Sequence, residues 1–171
     1  MTLRERQAPL KTQYKENPES ALLTLHGEAT LGPDITCEVR MKTATIIAGL
    51  HPATGGSGKE ICSGDMLLES LAACAGVTMN AVATALEIEL RSATVRASGM
   101  IDFRGTLGVD RNAPVGFKNI HLEFDLDTDA PHEKIETLLK LTERYCVVFQ
   151  TLNQQPEMSV SYQQIDSFGK V

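Results

Sequence analysis

The chain has 171 residues, of which 42% are hydrophobic and 22% are charged, and its formal net charge is −6. At about 150 residues per domain, this length predicts one globular domain that buries its core without a metal or disulfide. An acidic chain that has no tryptophan and no basic stretch is a poor partner for nucleic acid. The lack of an 18-residue apolar run predicts no membrane span, and the N terminus lacks the apolar segment of a secretory signal.

The first part of the chain combines a polar arm with strand-like runs. Residues 1–20 show no hydrophobic period, so we predict an N-terminal arm, followed by a single domain over 21–171. Runs rich in β-branched and apolar residues predict three strands, interrupted at Gly32–Pro33–Asp34. They lie within residues 22–31, 35–43 and 44–50. A glycine-rich loop then extends over 51–64.

The second part alternates helices with strands. The pattern predicts a long helix over 65–88 and a second helix from Pro131 into the region of Cys146. Between them, segments 90–103 and 115–126 alternate as half-exposed strands do, and residues 157–165 predict a final strand. This order of elements predicts an α+β fold with a mainly antiparallel sheet.

The middle of the first helix is apolar on all sides. Residues 71–77 carry no polar side chain, and several of them are alanine or glycine, which allow close approach of other backbone. A helix without a polar face has to be covered on every side. We therefore predict a homodimer in which a second subunit covers part of this helix.

The second helix carries one apolar stripe. Its members are Ile135, Leu138, Leu139, Thr142, Cys146 and Phe149. Cys146 follows Ile135 by almost three helical turns and so lies on the same face. Cys74 and Cys146 thus both point to the interior, where thiols from two helices could approach each other.

Three common kinds of site are not supported. The segment ATGGSGKE fails both ends of the phosphate-loop pattern, because Ala53 and Glu60 replace its first glycine and its final Ser or Thr. The four histidines are scattered, so we expect no metal, and no nucleophile elbow of a serine hydrolase is present.

The cysteines are therefore the chemical candidates. Cys37, Cys62, Cys74 and Cys146 lack close pairing, which favours a reducing, cytoplasmic location over a disulfide scaffold. A cysteine there is either a small packing residue or a reactive group. We expect Cys37 and Cys62 to be packing residues.

The sequence around the other two cysteines resembles the OsmC/Ohr family of osmotically inducible and organic-hydroperoxide-resistance proteins. The segments that carry the resemblance are SGDMLLESLAACAGV, which contains Cys74, and ERYCVVFQTL, which contains Cys146. The resemblance covers about residues 22–163. It implies intertwined homodimers with active sites at the subunit interface.

The resemblance also implies a thiol peroxidase without a metal, haem or flavin cofactor. Cys74 would attack an organic hydroperoxide and become a sulfenic acid, which Cys146 would resolve as a disulfide. An external dithiol, often a lipoyl group in the family, would reduce that disulfide. Alternatives are a non-catalytic dimer that binds a small apolar ligand, and a thiol redox sensor.

The sequence departs from the peroxidase pattern at two activating residues. Family peroxidases carry an arginine in the early strand-turn region and a glutamate about ten residues before the first cysteine. Here residues 27–36 contain no arginine, and Gly64 lies ten residues before Cys74. The candidates for these roles are Arg40 as partner of the thiolate, and Asp65 or Glu69 as its orienting carboxylate.

Overall fold

The structure is a computed structural model that describes residues 1–165. It is an α+β fold with two sheets and a long helix between the sheet-forming segments. The helices are α1 (Leu3–Glu16), α2 (Ser63–Ala85), α3 (Phe103–Thr106), α4 (His132–Tyr145) and α5 (Val147–Asn153). The strands are β1 (Glu28–Leu31), β2 (Cys37–Arg40), β3 (Thr45–Gly49), β4 (Ile61–Cys62), β5 (Ser92–Ile101) and β6 (Phe117–Asp127).

The first sheet has the strand order β1-β2-β3-β4. Its first three strands are antiparallel, as the sequence predicts, and β4 is parallel to β3. The predicted turn at Gly32–Pro33–Asp34 is confirmed, with Asp34 and Ile35 at φ angles of 52° and 61°. The strand predicted over 22–31 is shorter than expected. Residues 22–27 lie outside β1. They are exposed, and they pair with no strand in the described chain.

The second sheet is the antiparallel pair of β5 and β6, which confirms both alternating segments. One face is half-buried, through Val95, Ala97, Ile120, Leu122, Phe124 and Leu126. The other face is exposed and polar, with Arg96 paired to Asp125 and Glu123. The alternation thus separates a core face from a solvent face, as a period of two requires.

Helix α2 packs against β5, α4 and α5 along one stripe. The stripe consists of Leu71, Ala75, Met79 and Ala83, each repeating after about one turn. The prediction that this helix is covered on every side does not hold within one subunit, because Val77 is 74% exposed. By length and mean hydropathy, 1.5, α2 is the one helix within residues 1–165 that could cross a membrane. Core helices of soluble proteins meet the same criterion, so this is weak evidence of a span.

The N-terminal arm contains a helix that its sequence does not predict, and two further predictions are wrong in detail. The arm contains helix α1, which a capping box between Thr2 and Glu5 starts and which buries no residue. Helix α2 ends at Ala85 rather than at residue 88, because Glu87 adopts a left-handed conformation with φ of 54°. The strand predicted over 157–165 is absent from the described chain, where this segment is exposed and pairs with no strand.

Candidate active site

The second predicted helix is broken at Cys146, and this break builds the site. Cys146 has an extended backbone, with φ of −73° and ψ of 107°, so α4 ends before it and α5 begins after it. Its N–H donates to the Thr142 carbonyl at 2.9 Å and its carbonyl accepts from Gln150 N–H at 2.9 Å. The first N–H groups of a helix lack partners within it. The break therefore supplies free backbone donors next to a cysteine.

The two cysteines meet where α2 passes this break. Cys146 is 0% exposed and shares a buried cluster with Leu71 and Ala75 of α2. Cys74, which is half-buried, packs against the same cluster. Cys74 of α2 and Cys146 at the α4–α5 junction thus lie in one packed group, which agrees with the predicted approach of thiols from two helices. Both are free thiols in this structure.

The surroundings of Cys74 favour its thiolate. Burial raises the pKa of this thiol. The Val148 N–H, the Cys146 thiol, the Val147 N–H and the Thr78 hydroxyl act as hydrogen-bond donors that lower it, and together they outweigh the burial. The net effect is a pKa below the ordinary value of a cysteine. These four donors are uncharged. The thiolate is thus stabilised by α5 backbone and by two neighbouring side chains.

The surroundings of Cys146 have the opposite effect. Burial raises the pKa of this thiol, and the hydrogen bond and negative charge of Cys74 raise it as well. The Phe149 N–H and the Val148 N–H act against this rise but do not overcome it. The two shifts have opposite directions, so ionisation of this pair favours a Cys74 thiolate beside a neutral Cys146 thiol. Only the first of these is a nucleophile.

The predicted arginine is not brought to the thiols within this subunit. Arg40 lies on β2, where its guanidinium is 3.7 Å from the Glu28 carboxylate and its side chain is 67% exposed. Within residues 1–165, no hydrogen bond or ion pair joins it to Cys74 or Cys146. Its proposed role as a thiolate partner thus receives no support from the contacts of one chain.

The two predicted carboxylates lie together on α2. Asp65 and Glu69 are exposed residues of the first two turns of α2. With Leu68, Ala72 and Ala97 they line an open depression of about 300 Å³. Neither carboxylate is among the groups that set the pKa of Cys74. A role in orienting an activating group therefore remains a prediction.

The other two cysteines lie in or next to secondary-structure elements. Cys37 pairs with Ala48 across β2 and β3, and Cys62 directly precedes α2.

In the glycine-rich loop, a Cβ on Gly56 would lie 1.7 Å from the Leu50 carbonyl oxygen. This glycine is thus required by the close approach of the backbone. Within the described residues, no cluster of three or more His, Cys, Asp or Glu is arranged to hold a metal.

Sequence reasoning missed the donors that act on Cys74. Thr78 follows Cys74 by four residues on a helix, a spacing that signals a shared face. The backbone N–H groups of Val147 and Val148 left no sequence signal, because their role depends on the break between α4 and α5. The apolar stripe alone predicted one continuous helix through this point.

The fold and site define a class of α+β domain in which a thiol pair lies between a long central helix and a broken second helix. A family model described as OsmC-like protein matches residues 56–161, which is more than half of the chain. The chain belongs to the OsmC-like family. The resemblance of the two cysteine segments is thereby confirmed at the level of the family.

Solved structures agree on the fold. An OsmC-like protein from Mycoplasma pneumoniae is 20% identical with a TM-score of 0.66, covering 78% of this chain and 89% of that one. An organic hydroperoxide resistance protein from Elizabethkingia anophelis, with bound thiocyanate, is 17% identical with a TM-score of 0.62, covering 78% and 91%. An organic hydroperoxide resistance protein OsmC from Legionella pneumophila is 17% identical with a TM-score of 0.60, covering 77% and 90%. No curated protein matches the sequence.

Proposed function

We propose that this protein is a cytoplasmic thiol peroxidase that reduces small organic hydroperoxides and serves in oxidative stress defence. One observation carries the proposal: Cys74 of α2 packs against the buried cluster that contains Cys146, and both are free thiols. The pKa of Cys74 is lowered and that of Cys146 is raised, which agrees with this assignment of roles. A peroxidatic cysteine needs a thiolate, and a resolving cysteine needs to lie within reach of it. Membership of the OsmC-like family and the named hydroperoxide resistance neighbours support the same function.

The first step oxidises Cys74. Its thiolate attacks the terminal oxygen of the hydroperoxide, an S–O bond forms and the O–O bond breaks. The alkoxide that leaves takes a proton from solvent and becomes an alcohol. Sulfur has lost two electrons, which the peroxide has gained, and the product on the protein is Cys74 sulfenic acid.

The second and third steps restore the thiols. Cys146, as thiolate, attacks the Cys74 sulfur; an S–S bond forms, and the sulfenic hydroxyl leaves as water with the proton that Cys146 gave up. A small dithiol reductant, for which a lipoyl group is suited, then exchanges with this disulfide. It becomes a cyclic disulfide itself and returns both cysteines to thiols.

The active unit in this proposal is a homodimer. Large apolar side chains in the segments before β2 and after α5 are exposed in the single chain, and α2 is exposed to solvent at Val77. These side chains include Leu22, Leu23, Leu25 and Leu31 before β2, and Met158, Val160, Tyr162 and Ile165 at the other end. Exposed apolar surface of this extent is typical of an interface. A second subunit is also what the all-apolar centre of α2 predicts.

The test is peptide mapping after one equivalent of cumene hydroperoxide, on the wild type and on Cys146→Ser. We expect a Cys74–Cys146 disulfide in the wild type, Cys74 sulfenic acid in the variant, and steady peroxide loss when a dithiol is supplied. Cys37→Ser is the control and should behave as wild type. Unmodified cysteines together with unchanged peroxide would refute the peroxidase.

The second candidate is a non-catalytic dimer that binds a small apolar ligand. It is favoured by the position of Arg40, which pairs with Glu28 on the neighbouring strand β1 instead of contacting a thiol. In that case peroxide would leave both thiols intact. A thiol redox sensor would form the disulfide but would not turn over peroxide with a dithiol, so the same assay separates all three functions.

A further inference from the structure

The two cysteines of the site differ in how far solvent reaches them. Cys146 is 0% exposed, whereas Cys74 is half-buried. Ser70 and Val77 lie one helical turn before and after Cys74 on α2, and both are exposed. Residues at these spacings share one side of a helix. Cys74 therefore lies beside the face of α2 that its own chain leaves open.

The cover over Cys146 comes from its own chain. Leu71 and Ala75 of α2 form a buried cluster with it, and Val148 and Phe149 of α5 pack against this cluster. The backbone N–H and carbonyl of Cys146 are each held by a hydrogen bond of 2.9 Å. Exposing this sulfur thus requires α5 to separate from α2. A second subunit adds cover to a residue or leaves it unchanged, so the burial of Cys146 does not depend on the dimer.

Access matters when the disulfide is reduced. In thiol–disulfide exchange a thiolate attacks one of two sulfurs, and the rate depends on access to that sulfur and on the acidity of the thiol that leaves. Acidity favours attack at Cys146, because the lowered pKa of Cys74 makes it the better leaving group. Access favours attack at Cys74. Access decides, since a leaving-group preference acts only at a sulfur that the incoming thiol reaches.

We propose that an external thiol reductant attacks the Cys74–Cys146 disulfide at the Cys74 sulfur. Cys74 then reacts with both substrates in turn, the peroxide and the reductant, while Cys146 exchanges bonds only with Cys74. This inference rests on the proposed function, which supplies the disulfide. It adds the sulfur at which the reductant enters.

The exchange takes place in two steps. A thiolate of the reductant forms an S–S bond with Cys74, the Cys74–Cys146 bond breaks, and Cys146 leaves as a thiolate that takes up a proton. The second thiolate of the reductant then attacks the reductant sulfur of this mixed disulfide. A cyclic disulfide closes and Cys74 leaves as a thiolate. The reductant has given two electrons to the protein disulfide, and its two protons have gone to Cys146 and to solvent.

The experiment traps the first step with glutathione, a monothiol that cannot close a cyclic disulfide. All proteins carry Cys37→Ser and Cys62→Ser, so that only the two site cysteines react. One equivalent of diamide forms the disulfide, glutathione is added, and samples are quenched within seconds by N-ethylmaleimide in urea, which blocks the released thiol. Trypsin places Cys74 and Cys146 on different peptides, so mass spectrometry gives the share of glutathione on each.

Extrapolated to zero time, we expect about tenfold or more glutathione on Cys74 than on Cys146, because only the first sulfur is within reach of the thiol. Equal shares on the two cysteines, or an excess on Cys146, would overturn the inference.

Two variants test whether burial is the cause. Phe149→Ala removes part of the cover over Cys146 and should raise its share of glutathione several-fold. Leu138→Ala is the matched control, because Leu138 is also 0% exposed but packs in the other cluster, with Met79, and its share should match the parent. An unchanged share in Phe149→Ala, or an equal rise in both variants, would overturn burial as the reason for the choice. Circular dichroism checks that each variant is folded, and Phe149→Leu replaces the Ala variant if that protein does not fold.

The use of diamide separates this inference from the proposed function, since the disulfide forms without peroxide. Glutathione on Cys74 in a protein that consumes no peroxide would refute the peroxidase and retain the inference. Glutathione on Cys146 in a protein that does reduce peroxide would overturn the inference alone. If diamide forms no Cys74–Cys146 disulfide, both are refuted.

Discussion

Two buried leucines allow a test of whether the core around the thiols holds them in position. Leu71 is 1% exposed and packs against Cys146 and Ala75, while Leu138 is 0% exposed and packs in a separate cluster with Met79. Truncation to alanine removes the same atoms at both sites. We therefore expect similar losses of stability but different effects on the chemistry of the thiols.

The magnitude follows from their burial. Leu→Ala at a fully buried site costs about 3 kcal/mol, through lost transfer free energy and the cavity that remains. For a chain of this length, 1 kcal/mol lowers the melting temperature by about 2–4 °C, so each variant should melt roughly 6–12 °C below wild type. Leu107→Ala is the control, because Leu107 is 55% exposed and its truncation should cost less than about 0.5 kcal/mol.

The assay combines thermal melting with the rate of Cys74–Cys146 disulfide formation by diamide, a general thiol oxidant. Well below its melting temperature, Leu71→Ala should form the disulfide on the order of tenfold more slowly, because the α2 contact that positions Cys146 is loosened. Leu138→Ala should retain the wild-type rate. Equal slowing in both variants would refute the reasoning, since general destabilisation would then account for it.

Three further predictions concern the thiols and the second subunit. Cys146→Ala removes a donor to the Cys74 sulfur and should slow its alkylation about fivefold below the midpoint of the profile, whereas Cys146→Ser keeps a donor and should not; identical profiles would contradict this. Because the pKa of Cys74 is lowered in the folded state, its thiolate stabilises the fold above the unfolded thiol's pKa, and this stability is lost as the pH falls through the folded value. Urea titrations at several pH values should thus show a smaller rise of stability with pH in Cys74→Ala than in wild type, and equal slopes would exclude the effect. Val77→Glu should convert a dimer to monomer in sedimentation, while Val109→Glu, at a loop valine with 73% exposure against 74% for Val77, should not; a wild-type monomer would refute the dimer.

The sequence was sufficient for the elements whose signal is local. Alternation predicted β5 and β6, because each strand has one buried and one exposed face. The apolar run around Cys74 predicted α2, and the motifs around Cys74 and Cys146 indicated the family. Side-chain periodicity also placed both thiols on inward faces, where they could approach each other.

Tertiary structure decided the features that depend on what lies nearby. The break at Cys146 is invisible to periodicity, since the stripe from Ile135 to Phe149 would also fit one continuous helix. The break sets free the backbone N–H groups that stabilise the Cys74 thiolate. The segment over 157–165 has a strand pattern, but a strand forms only where another strand supplies hydrogen bonds, and residues 1–165 supply none there.

Charge near the site was also decided by the fold. Sequence proximity and family pattern selected Arg40, Asp65 and Glu69, yet the groups that lower the pKa of Cys74 are uncharged and come from α2 and the α4–α5 junction. A residue's type predicts which chemistry it can supply. Only the packing of helix against helix determines which sulfur it touches, because the donors of one thiolate come from segments about 70 residues apart in sequence.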